Sequence, residues 1–453
     1  MNQAIIDKEL TKALLFAINN DNEQRALEIL DEYYAEDIAE IFYDIELDEA
    51  KYIVRVLDKL KVVNVLRALD EDILSRFFKG YTSKEIASEF IEHMDSDDAV
   101  DILNSLSSQQ VEEIISFIVD KEFAGNVISL LHYDPNVAGG LMAKELIQVE
   151  TNWTVNECIE EIRTQAENVE RLITVYVVNA ENKLEGIVSL KDIILAKEDT
   201  KVGSIYSEDF ISVNAYSSGE EVAQTMDKYD LIALPVIDSL GRLLGRITID
   251  DVVEFIKEEA EKDYQMASGL SESVESSDKV WVLTRARLPW LLIGLFGGLA
   301  SSSIISLFEG DITAVPALAF FMPLIAAMGG NAGVQSAAIV VQGLANNTLD
   351  TSNLMSKVFK ELLVSLLNGL ICSAVILLWT YLGGFQGDLS ITVAISLIAI
   401  IIFASVMGTL TPLILDRFKI DPALATGPFI TTLNDVLGLG MYFLIGQMLL
   451  SAL

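Results

Sequence analysis

The sequence predicts a multidomain chain: an all-α helical-repeat N domain, an α/β tandem pair, an acidic connecting helix and a five-helix transmembrane domain. Three observations predict it. The first is charge segregation along the 453 residues: from residue 289 onward there are 8 acids and 4 bases, against 59 acids and 27 bases before it. The second is a 17-residue stretch that returns 59 residues later without a gap. The third is a set of five apolar segments near the end, each reaching the ~20 residues that cross a bilayer.

Residues 1–132 carry apolar residues at helical spacing and little strand signal. "DIAEIFYDIELDEA" from Asp37 and "EIASEFIEHMDSDDA" from Glu85 are loosely similar, which suggests stacked helical hairpins. The opening "MNQAIIDKEL" has neither a basic n-region nor an apolar h-region, so the expectation is no signal peptide and a cytoplasmic N-terminal part. The net charge of -36 disfavours nucleic acid and anionic lipid as partners and favours cations. Cys158 and Cys372 lie in different halves, which argues against a disulfide framework or a thiolate metal cluster.

Residues 133–249 hold the repeat. "YVVNAENKLEGIVSLKD" (176–192) aligns on "PVIDSLGRLLGRITIDD" (235–251), each copy reading as strand, polar turn, strand and helix. The pattern predicts two pseudo-symmetric α/β modules sharing a core. Gly186-Ile187-Val188-Ser189 with Asp192, and Gly245-Arg246-Ile247-Thr248 with Asp251, resemble the CBS domain family. That resemblance implies clefts for adenine nucleotide such as ATP, with Ser189, Lys191 and Asp192 as the binding set and Asp192 on the ribose. Residues 250–278 read as a connecting helix and linker: "DDVVEFIKEEAEKDYQMASG", from Asp250 to Gly269, continues as one long acidic helix, and the Ser- and acid-rich "SESVESSD" follows.

The five apolar segments run roughly over 289–308, 313–345, 358–383, 389–415 and 422–452, in a domain expected from 279 to 453. Bases mark the inside. Arg285 and Arg287 precede the first segment, Lys357 and Lys360 mark the second loop where the third segment begins, and Arg417 and Lys419 follow the fourth. The remaining loops carry none, so the expectation is a multi-pass protein of the cell membrane, in contact with lipid, N-terminus inside and C-terminus outside.

Within the spans one acid stands out. Asp435 lies inside "GPFITTLNDVLGLGMYFLIGQ", and a mid-span carboxylate costs about 2.5–3.5 kcal/mol on insertion scales. Thr431 and Thr432, four and three residues earlier, share its face, and Asn434 adds a second polar group. The second segment holds "GGNAGVQSA", in which Gly330 and its neighbours expose backbone and Asn331 and Gln335 stand at i, i+4. Neutral oxygens around one acid suit a hard cation or its water shell. Helix packing through small residues and interhelical amide bonds is the bland alternative. No Cys, Met or His cage for a softer metal accompanies the acid.

Together these features resemble the MgtE magnesium channels and transporters over nearly the whole chain, with "GGNAGVQSA" and "DPALATGPFITTLNDVLGL" as the most specific stretches. The resemblance implies a homodimer whose pore lies on the two-fold axis, with Asp435 holding hydrated magnesium there. It also implies a cytosolic Mg²⁺ sensor that closes the pore. Glu220, Asp230, Asp251 and Glu254 match acidic metal positions of the second CBS module, and Glu259 and Asp263 match those of the connecting helix. Asp97 and Asp101 form an acidic i, i+4 pair in "MDSDDAVDIL". The chain departs from the family at Lys262, where an acid is expected, and at Asn434, where Thr is expected. A non-conducting, membrane-anchored nucleotide sensor is the alternative from another class, and a proton-coupled carrier using Asp435 a third. No Ser-His-Asp set, P-loop or His-rich zinc motif points to an enzyme.

Overall fold

The computed structural model describes residues 8–166, 174–272, 274, 279–345, 354–425 and 427–450. Most of "SESVESSD" lies outside the described residues. The chain divides into two compact units that meet at Ile256 and Lys257, inside the helix Ile249–Ala267.

The first unit begins with short helices from Lys8–Asn19 to Lys121–Leu130. Polar caps set their starts. Thr82 Oγ accepts the Glu85 amide while Glu85 accepts the Thr82 amide, at 3.3 and 2.8 Å, a reciprocal box that satisfies two otherwise orphaned donors. The apolar faces meet in a cluster of Phe77, Phe78, Tyr81 and Phe90, with ring centroids 5.0–5.9 Å apart. Each such pair contributes about 0.5–1.5 kcal/mol beyond simple burial.

The repeat folds as two three-stranded sheets. Strands β1 (Ile147–Glu150), β2 (Val175–Val178) and β3 (Leu184–Val188) form one; β4 (Val213–Asn214), β5 (Ala233–Ile237) and β6 (Leu243–Thr248) form the other. In both, the first pair is parallel and the second antiparallel. The register slips at Val177/Val178 and again at Val236/Ile237, the same place in each copy. Lys183 bridges Arg242, its counterpart 59 residues on, as a pseudo-two-fold axis requires. The segment ahead of each module crosses to the other: Ala143 pairs with Arg246 on β6, and Ser207 with Ile187. Gly186 and Gly245 admit these crossings, since a Cβ on either would strike the carbonyl of Ser207 or Ala143.

The cores differ from the expected arrangement. Among the described residues, the core that the two modules share is a small cluster of Tyr176, Val178 and Leu243. The second module's core, including Val222, Met226, Val236 and Ile247, is instead continuous with that of the N-terminal helices. The first module keeps a separate core around Val149, Cys158 and Val175. Sequence symmetry hides this, because the partner of each apolar face is set by the tertiary arrangement.

The second unit holds five helices long and apolar enough to cross a membrane among the described residues: Val280–Leu307, Leu318–Ala345, Leu354–Leu382, Gly387–Arg417 and Pro428–Leu450. The first starts nine residues ahead of the apolar segment, carrying Arg285 and Arg287 in its opening turns; Arg285 pairs with Glu272 at 3.0 Å. The short helix Glu309–Ala314 precedes the second span. The fourth span is the buried hub, packed against the second, third and fifth. Tyr442 donates to the Leu318 carbonyl at 3.0 Å and ties the fifth span to the start of the second.

Candidate cation sites

Small residues let the second, fourth and fifth spans approach closely, because helices in lipid associate through packing rather than through a hydrophobic force. A Cβ on Gly408 would strike the Gly333 carbonyl, so the backbones of the fourth and second spans touch there. A Cβ on Gly333 would strike Nδ2 of Asn434. On the neighbouring turn, a Cβ on Gly330 would lie 3.7 Å from Asp435 Oδ1. Gly330 is thus the backbone floor beneath the half-buried Asp435 carboxylate.

The polar residues named from the sequence take different places. Asn434 is buried at the Gly333 crossing, and neither its Nδ2 nor its Oδ1 has a hydrogen-bond partner among the described residues. Thr431 directs its hydroxyl to the carbonyls of Gly427 and Pro428 on its own helix, both at 3.1 Å. The methyl of Thr432 fills the space over Gly297 of the first span. Asn331 and Gln335 are exposed on the second span. Ser336, 5% exposed, donates to Glu361 of the third span at 2.7 Å, a carboxylate that sequence reading did not single out.

The cytosolic acids fall into one cluster and several scattered positions. The helix Ser96–Asn104 starts against the chain leading to the modules: Ser96 Oγ donates to Glu145 at 2.7 Å and accepts the Lys144 amide at 3.0 Å. That places Asp97 beside Asp251 of the second module. Burial, then the charges of Asp98, Asp251 and Asp95, holds the Asp97 carboxyl well above its ordinary range. Burial likewise pushes Asp98 up to about 8, against the pull of Arg67, whose Nε lies 2.8 Å from Asp98 Oδ1. Asp251 is raised by burial, although it accepts from Thr248 Oγ and N at 2.5 and 3.0 Å. Asp97 and Asp101 stand at i, i+4, yet Asp101 is exposed and Asp98, with a side chain 15% exposed, takes the inner position.

Glu220, Asp230 and Glu254 are exposed; Asp230 caps its helix in the left-handed region at φ 52°. Glu259 and Asp263 are half-buried on the connecting helix, and Glu259 accepts from Lys262 at 2.8 Å. Among the described residues of one chain, no three His, Cys, Asp or Glu side chains stand where they could share a metal ion.

The two equivalent Ser/Thr-x-x-Asp corners have different surroundings. Ser189 donates to Asp192 at 2.5 Å and caps the helix Leu190–Leu195, and Ser189, Lys191 and Asp192 are all exposed. Asp251, in the equivalent corner, is turned into the carboxylate cluster.

Comparisons with known proteins match the chain domain by domain. Residues 33–136 match the MgtE intracellular N domain, 138–199 and 202–258 match the CBS domain, and 322–445 match the MgtE divalent cation transporter domain. The magnesium transporter MgtE of Bacillus subtilis is 32% identical over 98% of both chains. That of Thermus thermophilus is 31% identical over 99% of this chain and 100% of its own length. Among solved structures, the soluble part of a magnesium transporter is 29% identical, with a TM-score of 0.51, over 56% of this chain and 99% of that one. The cytosolic domain of the Mg²⁺ channel MgtE in complex with ATP is 28% identical, with a TM-score of 0.50, over 54% and 99%. With the helical N-terminal part, the CBS pair and the five-span unit each matched, and relatives aligned nearly end to end, the chain belongs to the MgtE family of divalent cation transporters.

Proposed function

We propose that this chain carries Mg²⁺ across the cell membrane through a path in its five-span unit, and that cytosolic Mg²⁺ closes that path. The observation that carries the reading is Asp435, a carboxylate inside a span, set over the bare backbone of Gly330. Such an arrangement holds a hydrated cation by accepting hydrogen bonds from its water shell, which suits an ion that dehydrates reluctantly. Two copies of the chain build the site. Asn331 and Gln335 are exposed on an otherwise apolar span, and amides facing lipid would be costly, so they face water or a second copy. The N-terminus then lies inside and the C-terminus outside, following the bases around Arg285, Lys357 and Arg417.

Closure is the work of the acids. Asp97 and Asp251 are crowded at the junction of the N-terminal helices and the second module, with Asp98 beside them paired to Arg67, so a hydrated divalent cation held by one or two of these carboxylates offsets their repulsion. Asp101, Glu220, Asp230 and Glu254 extend this acidic surface within the first unit, with some ions shared between domains or between chains. Magnesium binding more tightly to the closed arrangement shifts the population toward it by that difference in affinity. The exposed Ser189, Lys191 and Asp192 form a regulatory ATP site, supported by the ATP complex of the similar cytosolic domain.

The test is Mg²⁺ flux in liposomes with purified Asp435→Ala and Asp435→Asn. Both variants are expected to assemble as the parent does and to pass Mg²⁺ no faster than empty vesicles. Flux at the parent's rate in either variant removes Asp435 from the ion path.

A further inference from the structure

The connecting helix Ile249–Ala267 is densely acidic, and its two lysines are placed differently. Lys257 makes an exposed pair with Glu261 at 3.9 Å, the kind of surface contact that contributes little. Lys262 sits deeper in a field of acids. Its Nζ lies 2.8 Å from Glu259 Oε1, with the lysine 46% and the glutamate 28% exposed, against 77% for Lys257. The carboxylates of Asp421 and Asp263 add to the attraction on the same ammonium. Asp421 opens the short 3₁₀ turn Pro422–Ala425 that leads into the fifth span.

The same end of the helix is seated on that segment by backbone contact. The Ala267 carbonyl lies against Gly427, and Gly269 lies against Pro428, where a Cβ would come within 2.7 Å of Cγ. Lys262 therefore stands about a turn and a half before a joint already made by packing.

We propose that the Lys262 ammonium is a fixed internal cation that takes the place of a divalent ion among Glu259, Asp263 and Asp421. It clamps the C-terminal half of the connecting helix to the segment entering the fifth span whether or not Mg²⁺ is present. This rests on the gating reading above and refines it: the Mg²⁺ response resides in the acids of the first unit, and this joint stays closed to metal control. A single positive charge also leaves the three carboxylates incompletely neutralised, so the joint holds more weakly than one bridged by a divalent ion.

The experiment is hydrogen exchange on the full-length protein in lipid nanodiscs, read at residues 257–267, with and without Mg²⁺, for the parent, Lys262→Arg, Lys262→Gln and Lys262→Glu. The parent and Lys262→Arg are expected to be equally protected in EDTA and unchanged by Mg²⁺. Lys262→Gln should exchange about two- to fivefold faster in EDTA, the worth of one partly exposed ion pair. Lys262→Glu should exchange faster still and slow again when Mg²⁺ is added. Unaltered exchange in Lys262→Gln overturns the proposal, and so does a parent segment that gains protection from Mg²⁺ as Lys262→Glu does. Flux measured on the same preparations separates the two readings: a parent that passes no Mg²⁺ but shows the expected exchange pattern refutes transport and leaves the clamp standing.

Discussion

Asn434 of the fifth span lies so close to Gly333 of the second that a Cβ on the glycine would strike its amide nitrogen and come within 2.8 Å of Ile430 Cγ2. The same glycine carbonyl meets Gly408 of the fourth span, so three helices share one point of closest approach. Gly333→Ala is therefore expected to destabilise the five-span unit by about 1–3 kcal/mol, the usual penalty for overpacking. The thermal midpoint in detergent should fall. Adding Asn434→Ala should recover part of the loss by removing the struck atom. A Gly333→Ala protein that melts with the parent contradicts this packing.

Much of that arrangement was legible in the sequence, and the reasons differ between residues. Asp435 and "GGNAGVQSA" announce themselves because charge and bare backbone inside an apolar segment are costly. Which neighbour joins the acid is not legible. Asn434 follows Thr431 and Thr432 in the chain, but a helix turns successive residues about 100° apart, which sends Asn434 into the Gly333 crossing. The repeat was legible down to the offset of Ser189 and Thr248, since strand and cap patterns are local. The merging of the second module with the N-terminal core was not, because it depends on which apolar faces meet. Asp98 escaped for the same reason: i, i+4 spacing identifies a helix face, not the element packed on it.

The carboxylate cluster predicts a pH dependence. Asp97 and Asp251 are raised above the ordinary carboxylate range, and Asp98 is pushed up to about 8, all chiefly by burial. A group whose folded pKa lies above its unfolded value contributes stability that is complete below the unfolded value and lost as pH rises through the folded one. Without divalent cations, the contact between the helix Ser96–Asn104 and the second module should thus weaken as pH climbs from about 4 through about 8. Magnesium competes with these protons, so its stabilising effect should grow over the same range. Thermal unfolding of the full chain in EDTA and in Mg²⁺, from pH 5.5 to 8.5, checks both. A gap between the two curves that narrows with rising pH contradicts the assignment.

The unequal fates of Asp192 and Asp251 predict an unequal response to ATP. Asp192 is exposed beside Ser189, whereas Asp251 is drawn into the cluster with Asp97. Asp192→Ala is expected to weaken ATP binding about tenfold or more, as the loss of a hydrogen bond to a charged group of about 1.5–3 kcal/mol implies. Asp251→Ala should leave ATP affinity within about twofold, a loss too small for a removed charged contact, while changing the response to Mg²⁺. Titration calorimetry of both variants decides it. Equal losses in the two would mean that both corners take the nucleotide.

Gly427 carries the last prediction. It adopts φ +54°, a left-handed conformation that costs a non-glycine residue about 1–2 kcal/mol, and a Cβ there would also strike the Ala267 carbonyl. Its partner in the joint, Gly269, is left-handed too, at φ +84°. Both glycines lie where the connecting helix meets the entry to the fifth span, eight residues before Asp435 in the case of Gly427. A side chain at either place cannot be absorbed by rotamer changes, because what it meets is backbone at Ala267 and a proline ring at Pro428. Gly427→Ala should therefore part the connecting helix from the fifth span while leaving the first unit and its acids intact. The expected phenotype is uncoupling: Mg²⁺ still protects the cytosolic acids from exchange, yet it no longer suppresses flux. Flux assays over a range of cytosolic Mg²⁺, paired with exchange at the helix Ser96–Asn104, distinguish this from a folding defect. Suppression of flux at the parent's Mg²⁺ concentration would show that the signal reaches the pore by another route.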